Sequence, residues 1–119
     1  MYMATTPEGK VKAKVDRMLH RHKVWFFSPQ AGPFGRAGIP DRLICVHGRF
    51  VGIEVKADRT KKPTRLQEQC MAQIEAAGGK CFVVYDDESL AIASAYIGEI
   101  TRAGSTKGES PSTEAEQPS

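Results

Sequence analysis

The chain has 119 residues, room for one domain of ordinary size. Apolar residues make up 40% and charged residues 26%, which argues against wholesale disorder, and no run of 18 apolar residues marks a membrane span. The net charge is +3, yet the first 65 residues hold 14 basic and 5 acidic groups and the remainder is acidic, so a polyanionic partner, nucleic acid first, competes with a plain solvated surface.

Residues 1–10 lack a charged segment followed by an apolar one, so no signal peptide is expected and a cytoplasmic location is. Thr6 is placed to cap a helix, with Pro7 at its first position and Glu8 at the positive end of its dipole. Val11, Val15, Met18 and His22, with Leu19 beside them, recur at helical spacing and mark its core face. Lys10, Lys14, Arg17 and Arg21 form a basic stripe within a sector of about 60°. Glu8 lies on the side of Val11 and Val15, and a carboxylate turned towards a core needs a partner. Residues 24–27 read as a short strand and the Gly- and Pro-rich residues 28–38 as a loop.

Residues 42–46 and 50–55 read as two strands joined by the hairpin turn His47-Gly48-Arg49. A charged loop, residues 58–63, precedes a helix capped by Thr64, with Leu66, Cys70, Ile74 and Ala77 as its apolar positions and Gly78-Gly79 as its stop. Residues 81–85 read as a buried strand. Asp86, Asp87 and Glu88 open a last helix that runs through Leu90, Ile92, Ala93, Tyr96 and Ile97. The order predicts an α/β sandwich with a mixed sheet in residues 1–103. The Ser-, Gly-, Pro- and Glu-rich residues 104–119 are expected to form a disordered tail. Cys45, Cys70 and Cys81 cannot all pair within one chain, fit no zinc spacing and sit in apolar stretches, so reduced core thiols are expected.

Three charged residues stand where charge is expensive. Asp41 opens one strand, and Glu54 and Lys56 share a face of the next, with Val55 turned the other way. A tight hairpin brings Asp41 to the Glu54–Lys56 end. Two carboxylates at close range repel, and a divalent cation relieves the repulsion. A set with neither His nor Cys favours Mg²⁺ or Mn²⁺ over Zn²⁺. A lysine beside such a cation can orient a water or neutralise phosphoryl charge. The pattern therefore points to phosphodiester hydrolysis, with a cross-strand ion pair as the plain alternative. Other motifs carry less. His47 reads as a turn residue, and His20 and His22 cannot share a helical face. Gly32, Gly35 and Gly38 are not followed by the GK[ST] of a nucleotide loop.

Gly38-Ile39-Pro40-Asp41 followed by Ile53-Glu54-Val55-Lys56 resembles the PD…ExK signature of the restriction-endonuclease-like nucleases. The closer resemblance is to their virus-type replication-repair nuclease (VRR-Nuc) family. Glu8, Gly38–Asp41, Gly48–Phe50, Ile53–Lys56, Gln67 and Ala76–Gly79 match, in order, the layout of its phage-type stand-alone members. The resemblance covers residues 7–90 and implies an αβββαβ core and Mg²⁺- or Mn²⁺-dependent cleavage of DNA. It implies Asp41, Glu54 and the main-chain carbonyl of Val55 as metal ligands, Lys56 acting on the attacking water, Glu8 reaching the metal, and Gln67 next to the site. Glu8 keeps the reading of a dipole partner and Gln67 that of a capping-box residue, only one of its two roles being open to it at a time.

Lys10, Lys14, Arg17, Arg21, Arg36, Arg42, Lys61 and Lys62 are the candidates for gripping phosphates. The resemblance also implies a homodimer acting on branched DNA, resolvase-like, in the cytoplasm of a phage host. Trp25, Phe26, Phe34, Tyr96 and Ile97 are the apolar candidates for the interface, Trp25 and Phe26 having base stacking and core packing as further readings. A non-catalytic DNA-binding subunit and a replisome interaction protein are the rival readings.

Overall fold

The computed structural model describes residues 6–30 and 35–106. The elements run α1 (Pro7–His22), β1 (Trp25–Phe27), β2 (Arg42–Val46), β3 (Arg49–Val55), α2 (Arg65–Ala76), β4 (Lys80–Val84) and α3 (Asp87–Thr106). This is the expected αβββαβ core with a final helix, and the sheet is mixed. Its order is β1-β2-β3-β4, with β1, β2 and β3 antiparallel and β4 parallel to β3. A parallel neighbour needs a crossover, and α2 supplies it.

Local chemistry sets the element ends. The Thr6 hydroxyl accepts the Gly9 N–H at 2.9 Å, and Pro7 follows where a missing N–H costs nothing. Lys23 turns left-handed at φ +59° and its N–H closes α1 on the carbonyls of His20 and Leu19. The hairpin is tighter than its sequence suggested. Arg49 already pairs with Val46, which leaves His47-Gly48 as a two-residue turn with φ of +50° and +83°. Positive φ at both positions is the type I′ signature, whose twist matches the flanking strands.

The core lies between one sheet face and the α1–α3 pair. Val15, Met18 and Leu19 of α1 and Ala93, Ile97 and Ile100 of α3 meet Ile44, Val46, Val51, Ile53, Val55 and Val84. Each such large side chain contributes about 1.5–3 kcal/mol on burial. Ile53 and Val55 thus hold β3 from below, while Glu54 and Lys56 project from its other face by strand alternation. That second face is thinly covered. Of α2, only Cys70 is buried; Leu66 and Ala77, expected on a core stripe, are exposed. An apolar groove of about 360 Å³ remains between α2 and the sheet, lined by Leu43, Phe50, Cys70 and Ile74 among others.

Several expectations need correction. Ile92 is 58% exposed, because α3 turns Leu90, Ala93, Ile97 and Ile100 inward instead. Cys45 is exposed, since strand alternation puts it on the uncovered face, and only Cys70 is a true core thiol. Ile97 is fully buried and Phe26 and Tyr96 pack against the core, which withdraws all three from an open interface. The border expected at 103/104 falls inside α3, which continues to Thr106. Phe34, Gly32 and the tail from 107 onwards lie outside the described residues. Among the described residues no helix is long and apolar enough to cross a membrane.

Candidate active site

The approach to the site is fixed by close packing. Gly38 has φ +85°, and a Cβ on it would meet the Leu66 carbonyl oxygen at 2.5 Å. Only glycine lets the turn lie this close to the start of α2. The buried Pro40 then rests over Gly52 of β3, and the next residue is Asp41. Its carboxylate reaches across the strand pair, and Oδ2 accepts the Val55 N–H at 2.8 Å. One side chain thereby satisfies a backbone donor at the strand end and delivers its own charge to Glu54.

Glu54 is the buried charged residue of the sheet, with its side chain only 3% exposed. Its Oε2 lies 3.4 Å from Lys56 Nζ, and its Oε1 is buried with no hydrogen-bond partner. Burial, and then the neighbouring Asp41 charge, push this carboxyl up to about 7, against the opposing pull of Lys56. A buried carboxylate oxygen without a partner costs free energy, and such an atom calls for a cation or a proton.

Lys56 is held from two sides. Besides Glu54, its ammonium donates to Gln67 Oε1 at 3.0 Å. The same Oε1 accepts the Thr64 N–H at 2.8 Å, while the Gln67 N–H donates to the Thr64 hydroxyl at 3.2 Å. Gln67 therefore closes the capping box and positions Lys56 together. The expected exclusivity fails because a carbonyl oxygen has two lone pairs.

Glu8 departs from its expected place. Its side chain is 44% exposed and is not turned to the core; Oε2 pairs with Lys12 Nζ at 3.4 Å, one helical turn on. The same ammonium lies 3.5 Å from Asp41 Oδ1. Lys12 therefore links Glu8 to the site, a residue that sequence reading passed over although a Glu–Lys pair at i,i+4 is legible. The basic candidates divide. Lys10, Arg17, Arg21, Lys61 and Lys62 are exposed. Lys14 pairs with Asp87 at 2.9 Å, and Arg36 donates to Gln73 at 2.7 Å. Arg42 is bidentate to Asp16 at 2.6 and 3.0 Å and also donates to the Asp41 carbonyl, so it pins α1 to β2 rather than facing solvent.

A polar cleft of about 530 Å³ opens on Asp41, lined also by Gln30, Arg36, Pro40 and Gln67. Among the described residues no three or more His, Cys, Asp or Glu gather into a metal-ligating group. A cation at this place would thus take its protein donors from Asp41, Glu54 and the Val55 carbonyl. The unpartnered Glu54 oxygen and the all-oxygen donor set suit a hard divalent ion. Cys81 is no rival centre: burial and Glu75 push its thiol up to about 11, so it stays protonated. A scan of protein-family models and a search of curated proteins return no match for this chain.

Proposed function

We propose that the protein is a Mg²⁺- or Mn²⁺-dependent endodeoxyribonuclease, similar to stand-alone VRR-Nuc enzymes, acting as a homodimer on branched DNA. The observation that carries this reading is the convergence of Asp41 and a buried, half-orphaned Glu54 beside a lysine clamped by Gln67. An ion pair along one strand explains Glu54 and Lys56 but not a second carboxylate aimed at the same place, which raises the cost of the first.

Asp41 and Glu54, with the Val55 carbonyl, would hold the cation, which when bound supplies Lewis acidity towards the scissile phosphate. The chain's own groups do the positioning. Val55 N–H holds one oxygen of Asp41 and so orients its carboxylate. Lys56 is set by Glu54 and Gln67 at the carboxylate pair, where its ammonium orients an incoming water and balances charge gathering on the phosphoryl oxygens. The cleft past Arg36 and Gln30 gives the sugar-phosphate chain a polar path to Asp41. Lys10, Arg17, Arg21, Lys61 and Lys62 offer phosphate contacts that position a duplex without reading its sequence.

The test is a cleavage panel of linear duplex, flap, fork and four-way junction with Mg²⁺ and with Mn²⁺. We expect cleavage by the native chain, none by Asp41→Ala, and a rate at least 100-fold lower for Lys56→Ala, of the size seen when a transition-state donor is removed. DNA affinity should be retained in both variants. Binding without any cleavage by the native chain would favour a DNA-binding subunit instead, and unimpaired cleavage by Asp41→Ala would refute the site.

A further inference from the structure

We propose that Lys12 is the built-in counter-ion of the site: its ammonium holds the second oxygen of Asp41 until a divalent cation displaces it. The inference rests on the reading that Asp41 takes such a cation. Asp41 has two oxygens, and Val55 N–H occupies Oδ2. The other, Oδ1, is the one Lys12 faces at 3.5 Å. Glu8, one turn back on α1, holds the same ammonium at 3.4 Å. The lysine is therefore carried to Asp41 by α1, the helix that also carries Glu8.

Both distances exceed the 2.7–2.9 Å of a tight charged hydrogen bond. The ammonium is held by charge on a flexible four-carbon stem, so it can leave without breaking the fold. A dication at Asp41 Oδ1 competes with Lys12 for that same oxygen, whereas Lys56 sits on Glu54 Oε2 and leaves Oε1 open. Where Lys12 is engaged the cation must displace it, so the cation's apparent affinity falls by the fraction of molecules in which the lysine is engaged.

The displaced ammonium keeps Glu8 and stays next to Asp41, where a DNA phosphate drawn to the site is a further anion it can meet. A phosphate that takes Lys12 also frees Asp41, so DNA and cation should each tighten the binding of the other. The metal-free protein thereby keeps its acidic site partly neutralised, and loads with cation best when substrate is present.

Mn²⁺ binding to the full-length chain without DNA tests this, read by loss of the free-ion signal in electron paramagnetic resonance. Lys12→Met keeps the aliphatic stem and removes the charge; it should bind Mn²⁺ about three- to tenfold more tightly, the range set by two partly exposed ion pairs. Lys12→Gln should do the same, and circular dichroism checks that α1 is intact. Lys14→Met removes a charge from the same helix that pairs with Asp87 instead, and should leave the affinity unchanged. Equal or weaker Mn²⁺ binding by both Lys12 variants, with binding lost in Asp41→Asn, would overturn the proposal and spare the metal site. An equal gain in Lys14→Met would overturn it as well, by showing only a general charge effect. No Mn²⁺ binding by any form would overturn both.

Discussion

Glu54 shows what one residue bears for the site. Its carboxyl sits among buried neighbours and beside Asp41, so the folded chain prefers it protonated up to about pH 7, well above the ordinary glutamate value of 4.5. The folded state then binds more protons than the unfolded state between those values. This group's contribution to stability is therefore full below pH 4.5 and is lost as pH rises through 7. Thermal melts of metal-free protein should show Tm falling over that window, and Glu54→Gln should flatten the fall and raise Tm by a few degrees at pH 7.5 while abolishing cleavage. A Tm that rises with pH equally in both forms would contradict this. Glu54 and Lys56 were legible because strand alternation fixes faces without knowledge of the fold, and Asp41 because a tight hairpin fixes which strand ends meet. Glu8 was misplaced and Lys12 missed because both sit at the edge of an apolar helical stripe, where a few tens of degrees separate core from rim. Only the packed position of α1 over Asp41 resolves them.

At the scale of elements, the start of α2 carries two duties on one oxygen. Gln67 Oε1 takes the Thr64 N–H for the cap and the Lys56 ammonium for the site. The duties separate by mutation. Thr64→Ala removes the cap hydroxyl and should cost about 0.5–2 kcal/mol of stability with cleavage within a few-fold of native. Gln67→Ala should cost a similar amount and also slow cleavage, since Lys56 loses one of its two anchors. Urea denaturation and single-turnover cleavage, run on both variants, check the split; equal cleavage losses would mean that Gln67 acts only through the helix. The capping motif was readable as a short sequence pattern. Its coupling to Lys56 was not, because it depends on how far the residue 58–63 loop lets α2 return towards β3. The stop of α3 escaped for another reason: Gly104 and Ser105 disfavour helix, yet the helix continues past them to Thr106, with Gly104 packed under the His47 ring.

For the whole molecule, the uneven coverage of the sheet matters most. Trp25, Cys45 and Phe50 align across three strands in one row, with Phe27 and Leu43 in the next, on the face that also carries Glu54. Trp25 is 64% and Phe27 50% exposed. This is the apolar surface on which the proposed homodimer would form, and two cuts in opposing strands require two sites related by symmetry. Light scattering should give twice the monomer mass for the native chain and the monomer mass for Trp25→Glu/Phe50→Glu. The double variant should still nick DNA but lose paired cuts at a junction. A native monomer at micromolar concentration would set the dimer aside and leave the nuclease reading standing. The mixed sheet and its order of elements were legible from apolar periodicity and turn residues. Of the open face only Trp25 was, since an apolar residue on a strand looks alike whether a helix or nothing covers it.

The two-residue turn at His47-Gly48 has a kinetic consequence. It makes β2–β3 the most local pairing of the sheet, and a tight hairpin of this kind closes in about 1–10 μs. Asp41 and Glu54 ride on its open ends, so a chain that closes this hairpin before α1 docks would bring their carboxylates together without Lys12. Their repulsion would then add to the folding barrier and not only to the native state. Stopped-flow refolding of the metal-free chain should accelerate between pH 7.5 and 5.5, while Glu54→Gln refolds fast at both. A change confined to the unfolding rate would place the encounter of the two acids after the barrier. The pair that makes the site acidic would thus also set how quickly the chain can reach it.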